Sequence, residues 1–389
     1  MNRFLNLLAF VCFSTTLFTR VVDPVIPQIA SALSVEPATA ALLSTGFALP
    51  YALIQPVLGA LADTLSKTRL MTICMVVMVV ASVIGGFAID FHVLMVSRVI
   101  AGLAGGGVFP IALAIAGDRV PVAQRQVAIG RLLFAAMSGN LLGAFGAGVI
   151  GDLIGWRGVF FVTALIGLIG VIAAVRGFRG SADAAPGRFD LSTLGPNYRK
   201  IFSNPLAKIC FGAVFFEAIF LFGIFPHMAA LLQSEGEMRA SIAGLVIAGF
   251  GIGGIIYTFM VSWLLAHIGE RRLMLSGGAV MAFCLTAIAL RLSWPLDFAI
   301  FILAGFGFYL LHGCIQVYAS ELAPAARGSA MALHSAFFFF GHAAGPVVYG
   351  AGLASIGLVP VLLIGAAVVL LTGFICAQRL RRPAISSRV

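Results

Sequence analysis

Long apolar runs of some twenty residues alternate along this chain with short segments carrying charge, proline or glycine. A helix needs about 20 residues to cross the hydrocarbon core of a bilayer, so each run reads as a spanning helix. Twelve are found, at about residues 4–30, 38–62, 70–89, 92–117, 127–150, 158–177, 206–232, 241–266, 272–291, 297–319, 329–352 and 357–377. The first begins like a secretory leader, with Arg3 ahead of apolar residues. Arg20 and Asp23 interrupt it, however, and no small-x-small cleavage pattern follows, so an uncleaved span is expected. The pattern predicts an all-α membrane protein of twelve transmembrane helices.

Composition removes most alternatives. Of 389 residues 61% are hydrophobic and 10% charged, against about 25% charged in a soluble domain, which excludes a soluble enzyme. The excess of 24 basic over 14 acidic residues would raise the question of nucleic acid in a soluble chain. Here most basic residues occupy connectors on one side of the runs. Only Arg157, Arg239 and Arg291 fall on the other side, and Arg20, Arg98 and Arg131 lie within runs. That asymmetry predicts both termini in the cytoplasm of a plasma membrane, the inner membrane in a bacterium, with the bilayer rather than nucleic acid as partner. The six cysteines stand singly within apolar stretches and the histidines form no metal spacing, so no disulfide, metal or cofactor is expected.

The halves repeat. At an offset of 202 residues Arg125, Gly139 and Gly143 match Arg327, Gly341 and Gly345, and Pro24 matches Pro226. A shared offset at both ends of each half argues for a duplicated six-span unit, with a site expected between the halves near mid-membrane. The expected organisation is a six-helix bundle at 1–177, a polar cytoplasmic linker rich in Pro and Gly at 178–205, a second bundle at 206–377 and a basic tail at 378–389.

Between spans two and three the chain reads GALADTLSKTRLM, with Gly59, Asp63, Lys67 and Arg69 spaced as in the signature loop of the major facilitator superfamily. Thr64 replaces a usual basic residue there and Ser66 a usual glycine. Span four carries Arg98 and Gly102, similar to that family's Arg-x-x-x-Gly motif. Span five carries Gly130, Gly139 and Gly143, resembling the glycine motif of its antiporters, with Ala144 in place of the usual proline; the copy in span eleven has Gly341, Gly345 and Pro346. GDLIGWRGVF, with Trp156 and Arg157, resembles the start of the family's sixth span. The resemblance covers the whole chain and leans toward the drug:proton antiporter and sugar-efflux branch. It implies alternating access by two rocking halves, the loop acting as a conformational latch, and a functional monomer.

A charge at the bilayer centre costs at least about 2.5–3.5 kcal/mol on insertion scales, so those kept there demand explanation. Five are expected inside. Arg20 and Asp23, three residues apart, fall on roughly the same helix face, with Arg98 at a similar depth. Asp23 is the candidate for carrying a proton or cation, balanced between burial and Arg20 or Arg98; a permanent structural ion pair is the alternative. Glu217 lies mid-span with no basic neighbour at helical spacing, and is a candidate to meet substrate or to stay a neutral, hydrogen-bonded acid. Arg131 starts span five, where it snorkels to the interface or, turned inward, attracts an anion. Tyr51, Asn140, Tyr309, His312 and His342 are candidate lining residues near mid-depth, and the many Phe offer an aromatic pocket.

With no Walker A loop and no nucleophile-base set, the sequence points to a secondary transporter rather than an enzyme. The resemblance implies proton-driven export of a small hydrophobic or amphipathic compound. Uptake of a metabolite or organic anion is the nearest rival, and a lipid-handling protein or membrane-embedded enzyme the rival from another class.

Overall fold

The computed structural model describes residues 2–179 and 194–380, and these are almost entirely helical. Span one consists of α1 (Asn2–Thr16) and α2 (Ile26–Ala32). Spans two to four are α3 (Pro37–Thr64), α4 (Lys67–Gly86) and α5 (Phe91–Arg119), and α6 (Val122–Gly177) holds spans five and six, its path broken at Gly155, where φ is +77°. After α7 (Leu194–Phe202), span seven is made by α8 (Pro205–Phe222) and α9 (Phe225–Ser234). The remaining spans are α10 (Ala240–His267), α11 (Glu270–Ile288), α12 (Trp294–Glu321), α13 (Arg327–Ser355) and α14 (Leu358–Arg379). Twelve crossings bring both ends of the chain to one end of the bundle, called terminal here; the other end is distal.

One expectation needs correction. Span one is not a continuous helix, because Pro24 and Pro27 lack the amide hydrogen that would close its turns and crowd the carbonyls four residues back. Two short 3-10 segments, Leu17–Thr19 and Asp23–Val25, bridge the gap. Within the segment 178–205, α7 packs Ile201 fully inward and sets Phe202 edge-on against Phe211. Residues 180–193 and most of the predicted tail, 381–389, lie outside the described residues.

The duplication is visible as geometry. Span seven breaks between Phe222 and Phe225, 202 residues after the break in span one, and Pro226 stands where Pro24 does. Each break frees a helical carbonyl at an equivalent position, Phe18 or Phe220, and a side chain from elsewhere fills it. Arg98 Nη1 donates to Phe18 O (3.1 Å), whereas Tyr349 Oη donates to Phe220 O (2.7 Å). A buried carbonyl without a partner would cost about 1–3 kcal/mol, so both breaks depend on these donors.

Each half has its own apolar core, one within residues 5–178 and one within 201–380 apart from Ala144. A distal cluster around Val22, Ile26, Leu43 and Trp156 takes in Ala240 of the second half. Along α3 and α13 the halves join through Thr45 Oγ1 to Ala343 O (2.7 Å), the Tyr51–Phe339 ring pair (4.0 Å) and Gln55 Nε2 to Ser335 Oγ (3.0 Å). Along α6 and α10, Gly148 lies on the backbone of Ala240 and Ser241, and Gly244 on that of Ala144 and Phe145. Asp152 completes the distal contact: its Oδ1 and Oδ2 accept from Ala240 N (2.8 Å) and Ser241 N (2.9 Å) at the first turn of α10, where the helix dipole favours an anion. Beside it Arg239 hydrogen-bonds Glu237 and holds that carboxyl below its usual range.

Candidate functional site

The break in span one places Arg20 and Asp23 between the halves. Asp23 is fully buried; its Oδ2 pairs with Arg20 Nη1 at 3.2 Å and its Oδ1 accepts from Ser44 Oγ of α3 at 2.6 Å. Arg20, 7% exposed, stacks its guanidinium over Phe225 (4.5 Å) and Phe222 (4.9 Å) of the second half. Those two phenylalanines are the repeat equivalents of Asp23 and Arg20. Duplication has thus left a charged pair on one side of the interface and an aromatic pair on the other, and the two meet.

Arg98 does not pair with Asp23 by hydrogen bond. It is 2% exposed, binds Phe18 O and, more weakly, Leu43 O (3.5 Å), and lies over the Phe47 ring at 4.5 Å. Its Nη2 has no hydrogen-bond partner. Arg98 therefore holds the broken helix in place beside the ion pair.

The second acid is not alone. Glu217 of α8, fully buried, meets His312 Nδ1 through Oε1, a pairing that helical spacing could not reveal because His312 comes from α12. Glu217 Oε2 and His334 Nε2 lack partners, and the His334 ring lies 5.0 Å from that of His312. Phe308 stacks on His312 (4.6 Å), Phe222 contacts Phe308 and Phe338 (5.2 Å each), and His342 sits 5.5 Å from Phe222. A continuous aromatic wall therefore joins the Arg20–Asp23 pair to the Glu217–His312 pair. Such a wall offers contact to apolar or flat groups, with a buried carboxyl near each end.

The other candidates spread along the interface. Tyr51 stacks on Phe339 across the halves, Tyr309 on Tyr257 (5.9 Å), and Asn140 Nδ2 turns back to Ala136 O (3.2 Å). Arg131 is apart from all of these, exposed on a cleft toward the terminal end. Sequence reasoning missed Ser44, Phe222 and Phe225 as members of the site, and Asp297 as a third buried carboxyl among the described residues, after Asp23 and Glu217. Asp297, 2% exposed with Oδ1 unpartnered, begins α12 at the distal end, where it reads from sequence as a boundary residue. The match at the 202-residue offset of Phe222 and Phe225 to Arg20 and Asp23 was the available signal for two of them.

Known proteins resemble the chain over most of its length. The family model described as Major Facilitator Superfamily matches residues 8–325 and again 209–388. The chain belongs to the Major Facilitator Superfamily. Among curated relatives, a chloramphenicol resistance protein of Streptomyces lividans is 28% identical over 58% of each chain. The multidrug resistance protein MdtG of Proteus mirabilis is 26% identical over 92% of this chain and 91% of its own, and the quinolone resistance protein NorA of Staphylococcus aureus 25% over 90% of each. A solved bacterial homologue of the human lysosomal transporter Spinster, in an inward-facing and unoccupied conformation, superposes with a TM-score of 0.67 at 17% identity, covering 95% of this chain and 93% of that one. That likeness shows the fold. The chain is accordingly a multi-pass membrane transporter and not an enzyme.

Within the superfamily's signature loop, Lys67 Nζ pairs with Asp118 Oδ2 of α5 at 2.6 Å, and Ser66 Oγ caps α4 through Arg69 N (3.3 Å). Gly59 and Asp63 fall on the last turns of α3, and Asp63's side chain lies outside the described residues. The glycine motif divides. Gly139 and Gly143 face the backbone of Phe13 and Leu17 in α1 and the 3-10 turn after it, Gly341 faces Phe215, and Gly345, just before Pro346, meets Gly223 at the break in span seven. In each case a Cβ would collide with backbone. Gly130 differs: a Cβ there meets nothing within 4 Å, so close packing is not its role.

Proposed function

We propose that the protein exports a small hydrophobic or amphipathic compound in exchange for protons, by alternating access of its two halves, as a monomer with both termini in the cytoplasm of a bacterial inner membrane. One observation carries this reading: the buried Arg20–Asp23 pair rests on Phe222 and Phe225 of the opposite half. Rocking the halves moves those rings off Arg20 and rehydrates the pair, so the cost of protonating Asp23 changes with conformation. Arg98 keeps the broken helix in register while this happens. Glu217 and His312 meet substrate, with Tyr51, Asn140, Tyr309 and His342 lining its path, and Lys67, Arg69, Gly59 and Asp63 form the latch. The aromatic wall between the acids favours an apolar body, in keeping with the drug-resistance names of MdtG and NorA.

A second reading, uptake of an organic anion, is favoured by charge: Arg20 and Arg98 outnumber Asp23 around the break. Proteoliposomes loaded with a pH-sensitive dye separate the two. Antiport releases protons from the vesicle interior when a lipophilic cation moves inward, whereas symport acidifies the interior as an organic acid enters. Silence over both compound classes would refute proton coupling.

A further inference from the structure

Near the terminal end, α1 and α6 enclose an open cleft of about 430 Å³, of the size that takes small ligands. Its polar groups are the Arg131 guanidinium and the Asn6 amide, both exposed, and its walls are apolar, from Ala9, Val127 and Phe134. Arg131 has no ion-pair or hydrogen-bond partner among the described residues. Val127 and Phe134 are 61% and 56% exposed, so the apolar walls lie open. The face of α6 that carries positions 130 and 134 carries Met137 and Leu141 two turns on, and these lie against Gly254 and Gly251 of α10. The cleft therefore lies on the face of α6 that, two turns on, meets α10. Gly130 forms its floor without filling it, which accounts for a glycine that close packing does not explain.

We propose that this cleft is a binding site for an amphipathic anion, its carboxylate or phosphate held by Arg131 and Asn6 and its apolar chain laid along Ala9, Val127 and Phe134. A free cation beside apolar walls at the edge of the membrane matches that chemistry and no other common solute: a lipophilic cation is repelled, and a small inorganic anion leaves the walls wet. The site lies apart from the Asp23 and Glu217 pairs and does not depend on proton coupling.

Equilibrium binding of radiolabelled decanoate to the full chain in phosphatidylcholine nanodiscs tests it, with decanol as the uncharged probe. Decanoate is expected to bind saturably, decanol at least about tenfold more weakly, and R131Q to weaken decanoate by about tenfold or more, with R131K retaining most of the affinity. R291Q, a charge removed at the distal end, serves as control. Repeating the measurement with phosphatidylglycerol in the disc identifies the source: competition specific to the wild type names a lipid headgroup, and its absence a free anion. Equal binding by R131Q and wild type, or equal binding of decanol and decanoate, would overturn the proposal. No gradient is imposed, so a failure of proton coupling would leave this result untouched.

Discussion

Asp152 ties the halves together at the distal end, and its removal has a calculable effect. The carboxylate accepts from two backbone amides of α10, at 2.8 and 2.9 Å, and neither bond survives separation of α6 from α10. Hydrogen bonds to a charged group contribute about 1.5–3 kcal/mol, and a charge at a helix N-terminus about 0.3–1 kcal/mol. Asp152→Asn keeps one acceptor and loses the charge. Because Asp152 is solvent-exposed, screening reduces the difference to about 1 kcal/mol. That corresponds to roughly a fivefold rise in the ratio of distally open to distally closed molecules. Spin labels at Leu153→Cys and Met238→Cys, exposed positions in α6 and in the connector ahead of α10, report the opening as a longer distance in pulsed electron paramagnetic resonance. A distance distribution unchanged by Asp152→Asn would refute the assignment of this contact as a distal latch.

Arg98→Gln leaves Phe18 O short of its donor and should lower the midpoint of thermal unfolding in detergent, at a cost of about 1–3 kcal/mol; an unchanged midpoint would mean the break in span one needs no donor. Gly143→Leu drives a side chain into the backbone of Leu17 and should reduce the yield of monodisperse protein sharply, whereas Gly130→Ala, which meets nothing, should leave yield unchanged in size-exclusion profiles. Lys67→Ala removes a solvent-exposed ion pair worth at most about 1 kcal/mol, so thermal stability should hardly move.

The twelve spans, the duplicated halves and the Arg20–Asp23 pair were legible in the sequence because hydropathy, a fixed offset and a three-residue spacing each leave a local signature. Pro24 and Pro226 carried the repeat in the sequence, whereas the breaks beside them in spans one and seven are visible only in the structure. What the sequence withheld depends on which helix faces turn toward one another. Glu217 and His312 lie 95 residues apart in the chain, and Arg98 satisfies a carbonyl, a group every residue has. Asp297 sits so near a predicted span end that its burial follows only from packing. Gly130 and Gly139 look alike in a motif, yet one faces a cleft and the other a backbone.

The claim that Asp23 carries the coupled proton is tested most directly by comparing two modes of transport in Asp23→Asn proteoliposomes. Substrate exchange at equal pH on both sides needs only the rocking of the halves, whereas accumulation driven by a pH gradient needs the titrating carboxyl. Asp23→Asn should keep exchange and lose gradient-driven accumulation together with its dependence on pH. Accumulation with the pH profile of the wild type would contradict the account.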